Sequence, residues 1–88
     1  MIKTQELTPV YDSRKSFYGK AQILRVDEAE HLISYDTRVA TYNLNGEGEM
    51  QVMGTFSSTT LRHIKEFLKQ RGFTAETKAQ IEKDYLVN

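Results

Sequence analysis

The order of apolar and polar positions predicts a group of β-strands followed by helices. From Phe17 to Met53, short runs rich in β-branched and aromatic residues alternate with polar turn signals, a pattern typical of antiparallel strands. The runs are residues 17–26, 31–35, 38–44 and 49–53. Asn45-Gly46 is the strongest turn signal, because both residues accept a positive φ. We therefore expect an antiparallel sheet of three to four strands.

Residues 58–71 carry the clearest periodicity in the chain. The apolar positions Leu61, Ile64, Phe67 and Leu68 recur on one face of an α-helix. A hydroxyl side chain within residues 57–59 can cap the start of this helix, and Gly72 supplies the residue that ends it. A second, shorter helix is expected over residues 74–85, where Thr74 can cap and the apolar positions are more scattered.

Residues 1–16 are expected to be irregular. Thr8-Pro9 interrupts any early helix, and Asp12-Ser13 favours a turn through side-chain bonds to the backbone. The chain contains no internal repeat, low-complexity tract or linker, which indicates one α+β domain over residues 1–88. Its predicted parts are an irregular segment (1–16), an antiparallel sheet (17–53) and a helical part (58–86).

Composition limits the classes of protein to consider. A chain of 88 residues buries only about 60–65% of the surface that its unfolded form exposes, so the core is small. With no cysteine, disulfides and thiolate metal sites are excluded, as is typical of a reducing compartment. No apolar run approaches a membrane span, and no apolar signal segment begins the sequence. We expect a cytoplasmic protein.

The total charge is zero, but the charges are separated along the chain. Residues 1–25 carry five basic and two acidic side chains, whereas residues 26–50 carry one basic side chain, Arg38, and six acidic ones. The acidic block consists of Asp27, Glu28, Glu30, Asp36, Glu47 and Glu49. Separated charge can produce a local field that attracts a partner. Alternatively, these side chains are ordinary solvated groups at strand ends and turns.

His31 and His63 are the only imidazoles. Nucleophilic catalysis would require one of them beside a serine, with a third group orienting it, and no local motif indicates that arrangement. We expect no enzyme. Two histidines with the carboxylates of Asp27 and Asp36 would be chemically competent for zinc, but the spacing of a metal loop is missing. We expect no cofactor, and this histidine zinc site stays an open alternative.

Two features are typical of nucleic-acid contact. Arg14, Lys15, Tyr18 and Lys20 interleave basic and aromatic side chains, and Arg62, Lys65 and Lys69 form a basic stripe on the predicted helix. Cations contact phosphates, and an exposed tyrosine can stack on a base. The presence of Glu66 beside the stripe favours the alternative of a solvated helix face with a local ion pair.

Two segments also carry a resemblance. Tyr11-Asp-Ser-Arg-Lys-Ser-Phe-Tyr-Gly-Lys-Ala and Ser58-Thr-Thr-Leu-Arg-His-Ile-Lys-Glu-Phe-Leu resemble a family of small proteins found in phages, plasmids and conjugative elements of Gram-positive bacteria. The similarity covers most of the chain, from Tyr11 to Phe73. Small proteins of this genomic setting include type II anti-CRISPR proteins, which bind and disable Cas9. This chain has Gly54-Thr-Phe-Ser where the family commonly has Trp and Gly.

The resemblance implies a phage or mobile-element accessory protein that inhibits a host protein, with Cas9 or its guide-RNA complex as the leading partner. Cas9 has long basic channels for nucleic acid, on which the acidic block could dock by charge complementarity. Arg14 and Lys15 are further candidate contacts, unless residues 11–15 serve as a structural clasp. The alternative function is a small nucleic-acid-associated regulator that uses the basic helix stripe.

Overall fold

The computed structural model describes residues 2–45, 48–53 and 57–87. The strands are β1 (Ile2–Glu6), β2 (Ala21–Val26), β3 (Ala29–Ser34), β4 (Thr37–Asn43), β5 (Glu49–Met53) and β6 (Leu86–Val87), and the helices are α1 (Ser58–Gln70) and α2 (Lys78–Tyr85). The strands lie in the sheet in the same order as in the chain. Neighbours in β1–β5 pair antiparallel, and β6 runs parallel to β5. The predicted α+β class is confirmed, but three to four strands were too few.

The prediction that residues 1–16 are wholly irregular was wrong, because β1 pairs with β2 along all five of its residues. Every residue of β1 is exposed, so this edge strand lacks the apolar alternation by which a half-buried strand is recognised. Residues 8–16 contain no helix or strand, as expected. The two residues of β6 are too few to produce a pattern at all.

The predicted start of the first sheet strand at Phe17 was also wrong. Tyr18 and Gly19 have φ values of 55° and 75°, and the Lys20 N–H donates to the Phe17 carbonyl at 3.0 Å. These residues therefore form a tight turn, and β2 begins only at Ala21. The β-branched and aromatic composition of the run concealed this turn, because tyrosine rarely adopts a positive φ.

The connections within the sheet are shorter than predicted. Residues 27–30 were expected to form a polar connection, but Ala29 and Glu30 already belong to β3, which leaves a turn of two residues. The hairpin predicted between β4 and β5 is confirmed by their pairing. Gly46, on which that prediction rested together with Asn45, lies outside the described residues.

Both helices pack on one face of the sheet, and the core lies between these two layers. Its buried apolar members are Leu7, Phe17, Ala21, Ile23, Leu32, Val39, Ala40, Met50, Val52, Ile64, Phe67, Leu68, Ala75 and Ile81. Leu61, which shares the predicted apolar stripe with Ile64 and Leu68, packs against the edge of the core and is partly covered, whereas those two are fully buried. The buried face of α1 is rotated away from Leu61 and includes Thr60, His63 and Glu66.

The ends of α1 follow the predicted signals. The Ser57 hydroxyl accepts the Thr60 N–H at 3.2 Å, and Gly72 has a φ of 83°. The Gly72 N–H donates to the Lys69 carbonyl and the Phe73 N–H to the Leu68 carbonyl, both at 3.0 Å. These bonds satisfy carbonyl groups in the last turn of the helix. By contrast, α2 is capped by Thr77 rather than by Thr74. Neither helix in the described part of the chain is long and apolar enough to cross a membrane.

Candidate functional site

The Glu66 carboxylate holds the N-terminal segment onto α1. One oxygen, Oε1, accepts the N–H groups of Tyr11 and Asp12 at 2.9 Å, and Oε2 accepts the Val10 N–H at 2.8 Å. The Gln70 side-chain amide donates to Oε2 at 2.6 Å and to the Thr8 carbonyl at 2.7 Å. Hydrogen bonds to an ionised group are stronger than neutral ones, so this clasp fixes where residues 8–12 lie.

The interpretation of Glu66 as part of a solvated helix face is therefore wrong. The side chain is fully buried because residues 10–12 cover it and satisfy it with backbone donors. The predicted turn at Asp12 is confirmed, since its carboxylate accepts the Arg14 N–H at 2.9 Å. The same carboxylate also accepts from Arg62 at 3.1 Å, so a residue of the basic stripe is tied to the N-terminal segment.

A cleft of about 150 Å³ lies between this segment, the sheet and the start of α1. Its lining residues are Arg14, Phe17, Tyr18, Lys20, Tyr35, Thr59, Arg62 and His63. They come from three places: the segment that precedes β2, the turn between β3 and β4, and the first half of α1. The Glu66 clasp is what brings the first and third of these together.

The floor of the cleft is an imidazole embedded in hydroxyl groups. His63 is 1% exposed, and its Nδ1 lies 2.8 Å from the Ser34 Oγ. Ser34 in turn lies 3.1 Å from the Thr60 Oγ1, and the Ser57 hydroxyl donates to that same Thr60 oxygen at 3.3 Å. The ring of Phe17 packs edge-on against the imidazole, with centroids 4.6 Å apart.

His63 lines the cleft, but with 1% of its surface exposed the ring is almost closed off from it. Across the described ranges, no fully buried side-chain nitrogen or oxygen lacks a hydrogen-bond partner. Burial lowers the pKa of His63 below its usual value of 6.5, the Arg14 charge lowers it further, and Asp12 raises it in part. The neutral imidazole is therefore the favoured form.

Ser34 and His63 form the serine–histidine contact that the sequence did not reveal, but it is not arranged for catalysis. Ser34 is 2% exposed, so its hydroxyl cannot reach a substrate. The third member is the Thr60 hydroxyl rather than a carboxylate that would stabilise an imidazolium. The contact acts to position the ring.

Two tyrosines stand at the rim of the cleft. Tyr18 is 78% exposed and Tyr35 is 49% exposed, and both have a positive φ, of 55° and 50°. The Lys20 ammonium lies 6.0 Å from the centre of the Tyr35 ring. Left-handed backbone at a bulky residue is costly and is often found at functional sites.

The basic stripe continues from the cleft along α1. A second, shallow depression is lined by Tyr11, Asp12, Arg62, Lys65, Glu66 and Lys69. We call the joined surface the basic aromatic face; it consists of Tyr11, Arg14, Tyr18, Lys20, Tyr35, Arg62, Lys65 and Lys69. Its two lining carboxylates are occupied, since Asp12 pairs with Arg62 and Glu66 is buried in the clasp. Lys15 is exposed in the same segment as Arg14.

The structure divides the acidic block. Asp27, Glu28 and Glu49 lie at one end of the sheet, where the Leu44 N–H donates to the Glu28 carbonyl, and Asp36 lies at the opposite end of β3 beside Lys20. Glu30 is paired with Arg71 at 2.9 Å. Glu47 lies outside the described residues. The described members therefore do not form one acidic surface.

The two histidines lie on opposite faces of the sheet. Leu32 and Ser34 of β3 point toward the helices, so the alternation of a strand places His31 on the other face, where its Nδ1 lies 2.9 Å from the Thr41 hydroxyl. Burial and the Arg38 charge lower the pKa of His31. A zinc site that uses both rings is thus ruled out, and across residues 2–45, 48–53 and 57–87 no three metal-binding side chains cluster.

Residues 5–83 match a protein family described as a family of unknown function, DUF8033. The chain belongs to this family. The match includes every residue that lines the cleft and the second depression. No curated protein and no solved structure matches the chain. Family membership therefore names no ligand, and the function has to be argued from the site.

The sequence identified the basic members of the face and Tyr18, but did not place Tyr11 and Tyr35 there. Thr59 and His63, which line the cleft, were considered only as a helix cap and as a candidate imidazole for catalysis or zinc. Tyr35 was predicted as the last residue of a strand, whereas it begins the turn between β3 and β4. One available signal was the helical spacing of Thr60, His63 and Phe67, which marks a second stripe beside the apolar one. That spacing predicts burial of His63, but not the sheet residue beside it.

Proposed function

We propose that this protein binds nucleic acid through the basic aromatic face. The main observation behind the proposal is that two groups of basic residues, distant in sequence, lie together on one surface. Arg14 and Lys20 from the N-terminal segment share the cleft with Arg62 of the helix stripe, and Lys65 and Lys69 extend it. Cations in a row can contact successive phosphates, and exposed rings beside them can contact bases.

The zero net charge of the chain does not oppose this proposal, because several anions lie away from the face, although Asp36 lies beside Lys20 and Asp12 is paired with Arg62. Acidic side chains at the β2–β3 turn and at the start of β5 lie at the other end of the sheet, and Glu30 is paired. The face can therefore be locally positive on a neutral protein. Phosphate contacts of this kind give affinity without selecting a sequence.

Inhibition of Cas9 as a phage or mobile-element protein stays a prediction. It rests on the resemblance of two segments and on an acidic block that the fold distributes over two ends of the sheet. A docking surface made from Asp27, Glu28 and Glu49 alone would be small. For this reason we place nucleic-acid binding first and keep the host-protein inhibitor as the second proposal.

The first prediction tests the face by charge reversal. Replacing Arg14, Lys65 and Lys69 together by Glu should abolish binding of labelled nucleic acid at low salt, and this variant leaves the Arg62–Asp12 pair intact. For the wild type, log affinity should fall linearly with log salt, by roughly one slope unit per phosphate contact. Affinity is measured by fluorescence anisotropy at several salt concentrations.

A matched control makes the same charge change elsewhere. Lys3, Arg25 and Lys83 are exposed and line neither depression, so their replacement by Glu should preserve most of the affinity. A third variant, with Asp27 and Glu28 changed to Lys, should not weaken nucleic-acid binding but should abolish association with a Cas9–guide complex if the second proposal is right. Glu30 is left unchanged, because its replacement would break the pair with Arg71. Equal losses in the first variant and its control would contradict the face as the binding site.

A further inference from the structure

Tyr18 is presented to solvent by a turn that is unfavourable for its side chain. Its φ of 55° is unfavourable for a bulky residue. Within the described ranges, its ring has no aromatic or cationic partner and its hydroxyl has no hydrogen bond, although it lines the cleft. Tyr35, by comparison, has the Lys20 ammonium and the His63 ring near it. Tyr18 thus offers a free ring surface at the entrance.

The floor of the cleft is closed. His63 is 1% exposed and Ser34 is 2% exposed, so the polar groups that a ligand can reach lie at the rim and sides. Among them are the side chains of Arg14 and Arg62.

The cleft combines an aromatic entrance with the basic side chains of Arg14 and Arg62 at its sides. A flat ring with phosphates beside it matches both elements. Bases in a duplex are stacked and paired, so only an unpaired base can enter such a cleft.

We propose that the cleft receives one unpaired base of a single-stranded nucleic acid, which stacks on Tyr18. The flanking phosphates contact Arg14 and Arg62, and the strand continues along Lys65 and Lys69. This inference rests on the proposed function and specifies its ligand: single strands rather than duplexes.

The experiment compares strands that have the same phosphates but differ in their bases. The probes are labelled oligothymidylate and oligouridylate of about 12 nucleotides, the thymidylate strand with its bases removed, and a duplex of equal length. The proteins are the wild type, Tyr18→Ala and Tyr18→Phe. Tyr18→Ala should weaken binding of base-bearing strands by roughly 5- to 100-fold and leave the base-free strand and the duplex unchanged. Tyr18→Phe keeps the ring and should bind within about twofold of the wild type.

A second measurement needs no substitution. The ring resonances of Tyr18 should shift when thymidylate or uridylate is added and stay in place with the base-free strand. Preference for one of the two base-bearing strands, which differ in the sugar and in the thymine methyl group, would still support the inference. Equal affinity of the wild type for thymidylate and for the base-free strand would overturn the inference while leaving the nucleic-acid function standing. Failure to bind any strand or duplex would overturn both.

Discussion

At the scale of single residues, one buried carboxylate determines the shape of the candidate site. Glu66 accepts the N–H groups of Val10, Tyr11 and Asp12, which otherwise lie in a segment without regular structure. Buried backbone donors need partners, and a helix side chain supplies them here. The position of Arg14 relative to Arg62 follows from this contact and from the Arg62–Asp12 pair.

The second prediction concerns Glu66→Gln. The amide has a single acceptor oxygen and brings an NH₂ group against backbone N–H groups, so donors would face donors. We expect the free energy of unfolding to fall by roughly 2–4 kcal/mol, measured by denaturant titration. Glu76→Gln makes the same chemical change at an exposed side chain and should alter stability by less than about 0.5 kcal/mol. Similar values for the two variants would contradict the clasp.

Residue identity predicted part of the site. Basic and aromatic groups between Arg14 and Lys20 were recognisable, because neither a strand nor a helix period requires them. The burial of Glu66 and the contact of His63 with Ser34 were not recognisable, since each depends on a partner 29 or more residues away. Such contacts have no local pattern. They are set by how the elements pack.

At the scale of elements, α1 is the part that the sequence predicted best. Its cap, its apolar stripe and its terminal glycine all act within a few residues of one another, so they are visible locally. β1 and β6 were missed for the opposite reason: each exists because a neighbouring strand offers free backbone groups. The turn at Tyr18 and Gly19 was missed because tyrosine is an unusual residue at positive φ.

The third prediction compares two leucines on α1. Leu68 is fully buried, whereas Leu61 lies at the edge of the core. Leu68→Ala should lower the free energy of unfolding by about 2–4 kcal/mol, because it removes contacts and leaves a cavity. Leu61→Ala deletes the same atoms from a partly solvated position and should cost clearly less. Thermal or denaturant unfolding measures both. A larger loss for Leu61→Ala than for Leu68→Ala would contradict this orientation of α1.

At the scale of the whole molecule, the order of the strands explains why the separation of charges along the chain did not predict the charged surfaces. A sheet whose strands follow chain order places successive turns at alternate ends. Acidic residues close in sequence, such as Glu28 and Asp36, are thereby separated by the length of β3. The basic groups are brought together instead, by a clasp that joins residues more than 50 positions apart.

The fourth prediction concerns stability and pH. The pKa values of His63 and His31 are lowered, both chiefly by burial, with further contributions from Arg14 and Arg38 respectively. The unfolded chain therefore binds more protons than the fold once the pH falls below about 6.5. Stability should be fully present above that pH and decrease as the pH falls through the folded pKa values.

Denaturant unfolding from about pH 8 to about pH 5 covers this range and stays above the usual carboxyl titrations. Comparison with His63→Gln and His31→Gln assigns the effect, since each variant should lose its own share of the pH dependence. A wild-type stability that rises on acidification would contradict the lowered pKa values.

The strands pair in the order in which they occur in the chain, and this order affects how the fold assembles. Within β2–β5, each pairing closes a short loop, and short loops cost little conformational entropy. The Glu66 clasp and the β5–β6 pairing instead join distant parts of the chain. The clasp requires a formed α1, because helix formation is what places its carboxylate. The sheet can thus assemble hairpin by hairpin while the segment from Arg14 to Tyr18 is still unattached, so a partly folded chain has strands but no cleft.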